Sequence, residues 1–576
     1  MNFKKVGIRA FFLLLWIILF FEAMRYVGAQ WEFEGRVSSG LIVGISFVSK
    51  KQILYSIATV FASGLFATSV VFFLAKLFRS NRTRRDKVLL WASVGCIAVF
   101  VVAFFWNRRN IQLAKLPTAY RYYDSTGRLL APEKFGNDTR DVNIILISID
   151  TLNPLHLGIY GYHRNTSPIL DSLANEGVLF QNAFSHSPKT SPSHMSLFTS
   201  LYPSVHKIRN WNNLQGGYSL DHHIITLPEI LSHAGYTTAA FTAGGNVQSS
   251  IGFGDGFEVY HNDDQVWENA IHWLDENHHT KFFLFLHTFK VHSPYFPPSP
   301  YNNMFGSDYD GKIRDSESEL REYFNANYGE DDEFPGTHSL FWELIDKNDP
   351  KDVERVIALY DGCIRFMNDQ MMGVLLNRLR QYDLVDNTLL IFTSDHGEEF
   401  LQHGDFLHKE LYDEHIRVPL IMHIPGDKYK KQIVKQQISL IDMTPTILDY
   451  LSLPIPVMLQ GTSLWQILDG NDLNLPVFSE RIVISDVPDK KKSVRTAEWK
   501  YIWWPTKQKA ELFSLANDPM EQTNVVAEHP ETKAELHRLI TEWMSENQKK
   551  GASIRTFTNT LDAETIDKLK SLGYIR

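Results

Sequence analysis

The sequence predicts an α/β domain on a mostly parallel sheet flanked by helices, followed by a smaller C-terminal α+β subdomain and preceded by transmembrane helices. Three observations predict it. Long uncharged apolar runs occur within residues 1–106, short β-branched runs alternate with helical patterns after Val142, and short strands with turns begin at about Ile455. With 576 residues and 44% hydrophobic composition, the chain is long enough for more than one domain and a large core. A net charge of −9 argues against nucleic acid as a partner. The two cysteines, Cys96 and Cys363, supply neither a disulfide framework nor a cysteine zinc site.

Residues 1–106 read as a membrane anchor of about three helices. Ile53–Ala75 and Val88–Trp106 carry no charge and are long enough to cross about 30 Å of hydrocarbon. Ala10–Phe21 is shorter; the alternative for it is a cleaved signal peptide ending near Val27-Gly28-Ala29. Lys4, Lys5 and Arg9 precede the first run, and Lys76, Arg79, Arg82, Arg84, Arg85 and Lys87 crowd the connection before the last. Basic flanks stay cytoplasmic, so everything after Trp106 is expected on the extracytoplasmic side of the cell membrane, whether or not the first run is cleaved. The lipid bilayer is then one partner.

Residues 107–141 read as a linker, 142–454 as the catalytic domain and 455–576 as the C-terminal subdomain. Within the catalytic domain, apolar strands are expected at Val142–Ile149, Tyr236–Ala243, Phe282–His287, Thr388–Thr393 and Val418–Ile424. A short helix is expected at Ser167–Glu176, stopped by Gly177, and a long one from about Asp352 to Arg380. Residues 301–349 are acidic and lack aliphatic periodicity, and are expected to form an inserted, solvated surface excursion. A helix from Pro530 to about Asn547 closes the C-terminal pattern.

In open parallel sheets ligands bind beyond the carboxyl ends of the strands, and the chemistry-bearing residues cluster there. Asp150 ends the first strand; a metal ion is one partner that would offset its burial, and capping the next turn is its ordinary alternative. Thr190, in Ser-Pro-Lys-Thr-Ser-Pro-Ser-His, stands where an apolar helix begins, a position that favours anions as well as ordinary caps. Thr-Ser-Asp-His-Gly-Glu-Glu-Phe ends another strand. Asp395, His396, His403, Asp405 and His408 fall within fourteen residues there, too dense for a solvated face. After the Phe282 strand come His287, readable equally as a core histidine, and His292 in the loop before Pro294.

These segments, taken together and in order, resemble the sulfatase family of the alkaline-phosphatase superfamily. The matching stretches are Asn143–Tyr162, the Thr-Ser-Pro-Ser-His segment, Val-His-Ser-Pro-Tyr-Phe-Pro-Pro and Ser-Asp-His-Gly-Glu. Tyr412-Asp-Glu-His-Ile-Arg-Val-Pro-Leu, Ile441-Asp-Met-Thr-Pro-Thr, Asp518-Pro-Met-Glu-Gln-Thr-Asn and Leu572-Gly-Tyr extend the match to the C-terminus. The resemblance implies an alkaline-phosphatase-like fold. It implies a metal at Asp150, Thr190, Asp395 and His396, with Thr190 as nucleophile, and catalytic roles for His194, His292 and His408. His194 stands where the family has arginine; His292 and His408 match positions that touch the transferred group or, in two-zinc relatives, a second metal.

One departure bears on the reaction. Sulfatases carry Cys or Ser, oxidised to formylglycine, where this chain has Thr190, so formylglycine is not expected. Threonine at this position resembles superfamily phosphodiesterases and phosphoethanolamine transferases. Thr151 replaces a second Asp common in sulfatases, and Asn153 an Arg of a related subgroup. A threonine hydroxyl needs a divalent cation to ionise near neutral pH, and mixed Asp and His ligands favour zinc or manganese over calcium. The leading expectation is a hydrolase of sulfate or phosphate esters on a glycan, lipid or small molecule. The alternatives are a phospho-substituent transferase acting on membrane lipid or glycan, and a non-catalytic binding protein on the same fold.

Overall fold

The computed structural model describes residues 140–210, 217–306, 308–329, 332, 334–481, 490–555 and 557–559. The expected membrane helices, nearly all of the linker and Leu572-Gly-Tyr lie outside the described residues. Among the described residues, no helix is long and apolar enough to cross a membrane.

In chain order the strands are β1 (Asn143–Ile149), β2 (Val178–Phe184), β3 (Gly217–Ser219), β4 (Thr237–Thr242), β5 (Val259–Asn262) and β6 (Phe282–Thr288). Next come β7 (Thr388–Thr393), β8 (Glu399–Phe400), β9 (Phe406–Leu407), β10 (Arg417–His423) and β11 (Gln432–Ser439). The last are β12 (Val477–Glu480), β13 (Lys492–Arg495), β14 (Trp499–Trp504), β15 (Lys509–Ser514) and β16 (Phe557–Asn559). The principal sheet has eight strands in the order β11-β2-β10-β7-β1-β6-β4-β5. All its pairings are parallel except those of β10, which runs antiparallel to both β2 and β7. An apolar run marks a buried strand but not its direction, so the reversal at β10 was not legible.

β1 sits at the centre and is buried on both faces, which is why it reads as an unbroken apolar run. Ile144 and Leu146 join the core on one face; Ile145, Ile147 and Ile149 join the core on the other. Strand periodicity then puts Ser148 on the first face, the side covered by the helix Thr190–Thr199.

The expected helix at Asp352–Arg380 is real but interrupted. It runs as α-helix over Pro350–Phe366, as a π-helical turn over Met367–Met372, and as α-helix over Gly373–Gln381. The wide turn carries Asn368, whose Oδ1 accepts from the N–H groups of Ile169 (3.0 Å) and Leu170 (3.1 Å). Those are free donors at the start of the helix Pro168–Glu176, which has no side-chain cap of its own.

Residues 301–349 depart from the solvated excursion their composition suggests. They hold helices Glu317–Asn327 and Thr337–Glu343, which bury Leu320, Phe324, Leu340 and Phe341 in the core beneath the sheet. Few aliphatics were visible because aromatic side chains do much of the packing. Trp342 Nε1 donates to Ser293 Oγ at 2.7 Å, tying this segment to the loop that carries His292.

The C-terminal strands β12 to β15 form an antiparallel sheet covered by the helix Pro530–Gly551. Trp543 stacks on Phe478 (5.0 Å between centroids) and meets Tyr202 edge-on (5.1 Å), so this subdomain packs directly on the catalytic domain. A buried ion cluster adds a polar link. Lys500, fully buried on β14, reaches Asp413 Oδ1 (2.6 Å) and Glu521 Oε1 (3.1 Å), while Arg495 Nε reaches Asp413 Oδ2 (3.1 Å). Removing one partner of such a pair leaves an uncompensated buried charge. Lys500→Met is expected to cost about 3–5 kcal/mol of folding stability, read as a lower urea midpoint at an unchanged m-value.

Candidate active site

Three adjacent parallel strands at the middle of the sheet deliver the polar residues to one place. In register, Ser148 of β1 pairs with Thr393 of β7 on one side and His287 of β6 on the other. Beyond those positions the chain continues into Asp150 and into Asp395-His396, so two carboxylates and two imidazoles converge at the strand ends. All four side chains are buried to within 1% exposure. His396 Nε2 lies 3.8 Å from Asp150 Oδ1 and 3.4 Å from Asp395 Oδ2, and His287 Nε2 lies 3.4 Å from Asp150 Oδ2.

The helix Thr190–Thr199 brings the hydroxyl. Thr190 is its first residue, with Oγ1 3.5 Å from Asp150 Oδ2. Ser193, one turn on, donates to the Asp395 carbonyl at 2.5 Å and shares a 2.7 Å hydrogen bond with Ser185 Oγ, which pins the helix start to the Asp395 loop. Thr151 holds a left-handed backbone (φ 59°), a cost of about 1–3 kcal/mol for a β-branched residue. In that conformation its N–H donates to Asp395 Oδ1 (3.3 Å) and its hydroxyl to the Val291 carbonyl (3.1 Å), beside His292.

The imidazoles are set by what their Nδ1 atoms touch. Nδ1 of His287, His396 and His292 meets the carbonyls of Ala243 (3.1 Å), Gly397 (3.1 Å) and Ser293 (2.6 Å), and Nδ1 of His408 meets Glu398 Oε1 (3.0 Å). A carbonyl only accepts, so Nδ1 of the first three holds the proton and a neutral ring keeps its lone pair on Nε2, the metal-ligating form. Burial favours the neutral ring in each: it pushes His287 and His292 down to about 3, and His396 and His408 well below the ordinary histidine value. Tyr295 donates to Glu398 Oε2 (3.0 Å), holding the carboxylate that faces His408.

Asp150 and Asp395 are driven well above the ordinary carboxylate range, chiefly by desolvation; for Asp395 the next cause is the charge of Asp150. Asp150 Oδ1, Asp395 Oδ2, His396 Nε2 and His287 Nε2 have no hydrogen-bond partner. Acceptor atoms left bare and facing one another, in a site this dry, fit a divalent cation. Asp150, Asp395 and His396 offer ligand atoms within 4.8 Å of one another, and so do His194, His287 and Asp395.

The sequence-derived residues thus fall into groups. Asp150, Thr190, Asp395 and His396 come together. His408 lies tilted against His396 (4.2 Å between centroids) and edge-on to His292 (5.5 Å), beside the same site. His194 is turned inward, with Nε2 2.9 Å from Ser148 Oγ and Nδ1 3.0 Å from the Thr190 carbonyl. His403 and Asp405 point elsewhere: His403 pairs with Glu414 and stacks on Tyr412, and Asp405 pairs with Lys409. Sequence reasoning left His287 open and passed over Glu398. The signals were there: His287 ends a strand, and Glu398 follows Asp-His-Gly.

A doubly flanked α/β sheet with carboxylates, imidazoles and a hydroxyl converging at its central strand ends is the build of a metal-assisted ester hydrolase. Comparison with known proteins makes the class specific. The model of the family described as Sulfatase matches residues 142–453, more than half of the chain, and that described as N-sulphoglucosamine sulphohydrolase, C-terminal, matches 401–550. The chain belongs to the sulfatase family and is a hydrolase of the sulfate-ester class. Similar proteins include arylsulfatase K of Canis lupus familiaris, 27% identical over 452 residues, covering 69% of this chain and 81% of that one. The N-acetylglucosamine-6-O-sulfatase of Bacteroides thetaiotaomicron is 23% identical over 502 residues, covering 71% and 87%. Among solved structures, the phosphonate monoester hydrolase of Agrobacterium radiobacter shares the fold at 21% identity and a TM-score of 0.58, covering 71% of this chain and 97% of its own.

The bare carboxylates predict a sign. A carboxyl whose folded pKa is raised contributes stability that is full below its ordinary value of 3.8 and is lost as pH climbs through the raised value. Metal-stripped protein should therefore lose thermal stability as pH rises from about 4, and Zn²⁺ or Mn²⁺ should abolish that loss. Asp395→Asn should flatten the dependence and fail to retain metal by elemental analysis.

Proposed function

We propose that this chain cleaves sulfate or phosphate esters through a covalent intermediate on Thr190, with its catalytic domain on the extracytoplasmic side of a membrane. The observation that carries the reading is the hydroxyl of Thr190 at a buried helix start, 3.5 Å from Asp150, beside four orphaned acceptor atoms. Asp150, Asp395 and His396 would hold the metal, with Thr190 as its neighbour. Two carboxylates and an imidazole suit zinc or manganese better than calcium, which prefers an all-oxygen shell. A divalent cation there would favour the ionised form of the Thr190 hydroxyl and offset charge on the transferred group.

The remaining chemistry falls to the protein. The Thr190 oxygen bonds to sulfur or phosphorus in line with the departing ester oxygen, which leaves with the bonding electron pair. His408, oriented by Glu398 and Tyr295, and His292, oriented by the Ser293 carbonyl, are neutral rings; the proton given up by the Thr190 hydroxyl is taken by one of them and passed on to the leaving alcohol. Burial of the whole cluster excludes bulk water until the alcohol has gone. Water then releases the group from Thr190. The relative named for N-acetylglucosamine 6-O-sulfate supports a sulfated sugar as substrate. Threonine in place of an oxidisable residue favours a second reading, in which an acceptor hydroxyl on lipid or glycan replaces water.

Thr190→Ala is expected to abolish turnover, about 10⁴-fold or more in kcat, with metal content and unfolding midpoint unchanged. The check is a panel of aryl sulfate, phosphate monoester and phosphodiester on the full chain in detergent, with peptide mass mapping of the quenched wild type for an adduct on Thr190. Turnover by the Ala variant would remove Thr190 from the mechanism. For the location, protease added outside intact cells, with the outer envelope opened where there is one, should digest the catalytic domain; digestion only after the membrane is broken would reverse the topology.

A further inference from the structure

The ester-cleaving site does not absorb all the side chains that the sequence crowds after Asp395. His403 lies in the turn between β8 and β9 and is one corner of a separate cluster. Glu399, at the start of β8, and Glu414, in the helix Asp413–Ile416, are the other two. Both carboxylates are buried, while His403 keeps 14% of its side chain open to solvent. The three residues offer ligand atoms within 4.8 Å of one another.

The turn is built to hold them there. Glu399 Oε1 accepts from the N–H groups of His403 (2.7 Å) and Asp405 (3.1 Å), which wraps the turn around this carboxylate. His403 Nε2 meets the Glu521 carbonyl at 3.0 Å. A carbonyl only accepts, so Nε2 holds the proton, and the neutral ring has its lone pair on Nδ1, the atom that faces Glu414. His415 is the independent sign of a ligand. It is completely buried, and neither of its ring nitrogens has a hydrogen-bond partner. Its Nε2 stands 3.1 Å from Glu399 Oε2, outside hydrogen-bond geometry. A buried imidazole left so against a carboxylate fits a donor that a cation would draw in.

In the free protein a proton fills the place of that cation. Burial disfavours charge on His403, but the hydrogen bond and charge of Glu414 outweigh it and push the ring up to about 9. The other groups around the ring are Glu399, Tyr412, stacked on it at 3.6 Å, and Glu521, which pairs with Lys500. A metal must displace the proton, which costs about a hundredfold in affinity at pH 7. The site therefore exchanges its metal with solution and is emptied by desalting.

We propose that Glu399, His403 and Glu414, with His415 beside them, form a structural zinc site apart from the ester-cleaving centre. Two carboxylates and an imidazole suit that metal. It would tie the β8–β9 hairpin, which leads from His396 to His408, to the helix Asp413–Ile416. Asp413 of that helix joins the Lys500 cluster of the C-terminal subdomain, so the cation braces the same junction. The proposal does not depend on the reading of Thr190.

The test uses the full chain in detergent, with the ester-site metal removed by Asp395→Asn. After chelation and desalting, added Zn²⁺ should fill one saturable site and raise the melting temperature. Binding should release about one proton, read by calorimetry in buffers of different ionisation enthalpy. Adding His403→Gln should weaken that binding about a hundredfold or more. Glu414→Gln should do the same, and decides the case if His403→Gln fails to fold. Anomalous scattering at the zinc edge, from zinc-soaked crystals of the Asp395→Asn protein, needs no second substitution. Its peak should lie between Glu399, His403 and Glu414. No saturable zinc uptake, uptake indifferent to both substitutions, or a peak elsewhere overturns the proposal.

Discussion

Two carboxylates, both stripped of water and facing each other across adjacent parallel strands, are the constraint on which the rest of this site depends. Asp150 and Asp395 cannot both stay ionised there unaided, and the protein does not offer them an arginine. It offers imidazole lone pairs, which deepen the negative character of the spot. The backbone is arranged to preserve this unfavourable grouping. Thr151 accepts a strained conformation so that its N–H braces Asp395, and Ser193 fastens the helix that begins at Thr190 to the same loop. Such placement costs stability in the free protein, and a cation bound between the carboxylates would offset it.

The sequence revealed most where chemistry and strand geometry coincide. Asp150 and the Asp395-His396 pair each end an apolar run, so their position at the rim of a sheet could be read from the runs alone. Thr190 was visible because it starts a helical pattern. What stayed hidden depends on pairing across the sheet. His287 looks like one more residue of a buried strand until β6 is known to lie beside β1 in register. The inward turn of His194 depends on Ser148, a small polar residue inside an aliphatic strand whose purpose appears only once the helix packs over it.

The same contrast holds for the fold. Parallel β1, β6 and β7 follow from continuous hydrophobicity, but β10 is equally apolar and runs the other way. The π-turn at Met367–Met372 leaves no mark in the helical period, yet it exists to bring Asn368 to a neighbouring helix start. The acidic composition of residues 301–349 masked the aromatic and leucine side chains that bury them. Local pattern reports which surfaces want burial; it does not report which partner buries them.

That last segment also alters how substrate choice would evolve in this chain. Trp342 donates to Ser293, next to His292, so this stretch also braces the loop that carries that histidine. Exchanging residues 301–349 for those of a relative would remove that hydrogen bond and loosen the setting of His292 in the same stroke. Change in this stretch is therefore easier by small substitutions that keep Trp342 than by replacing it wholesale.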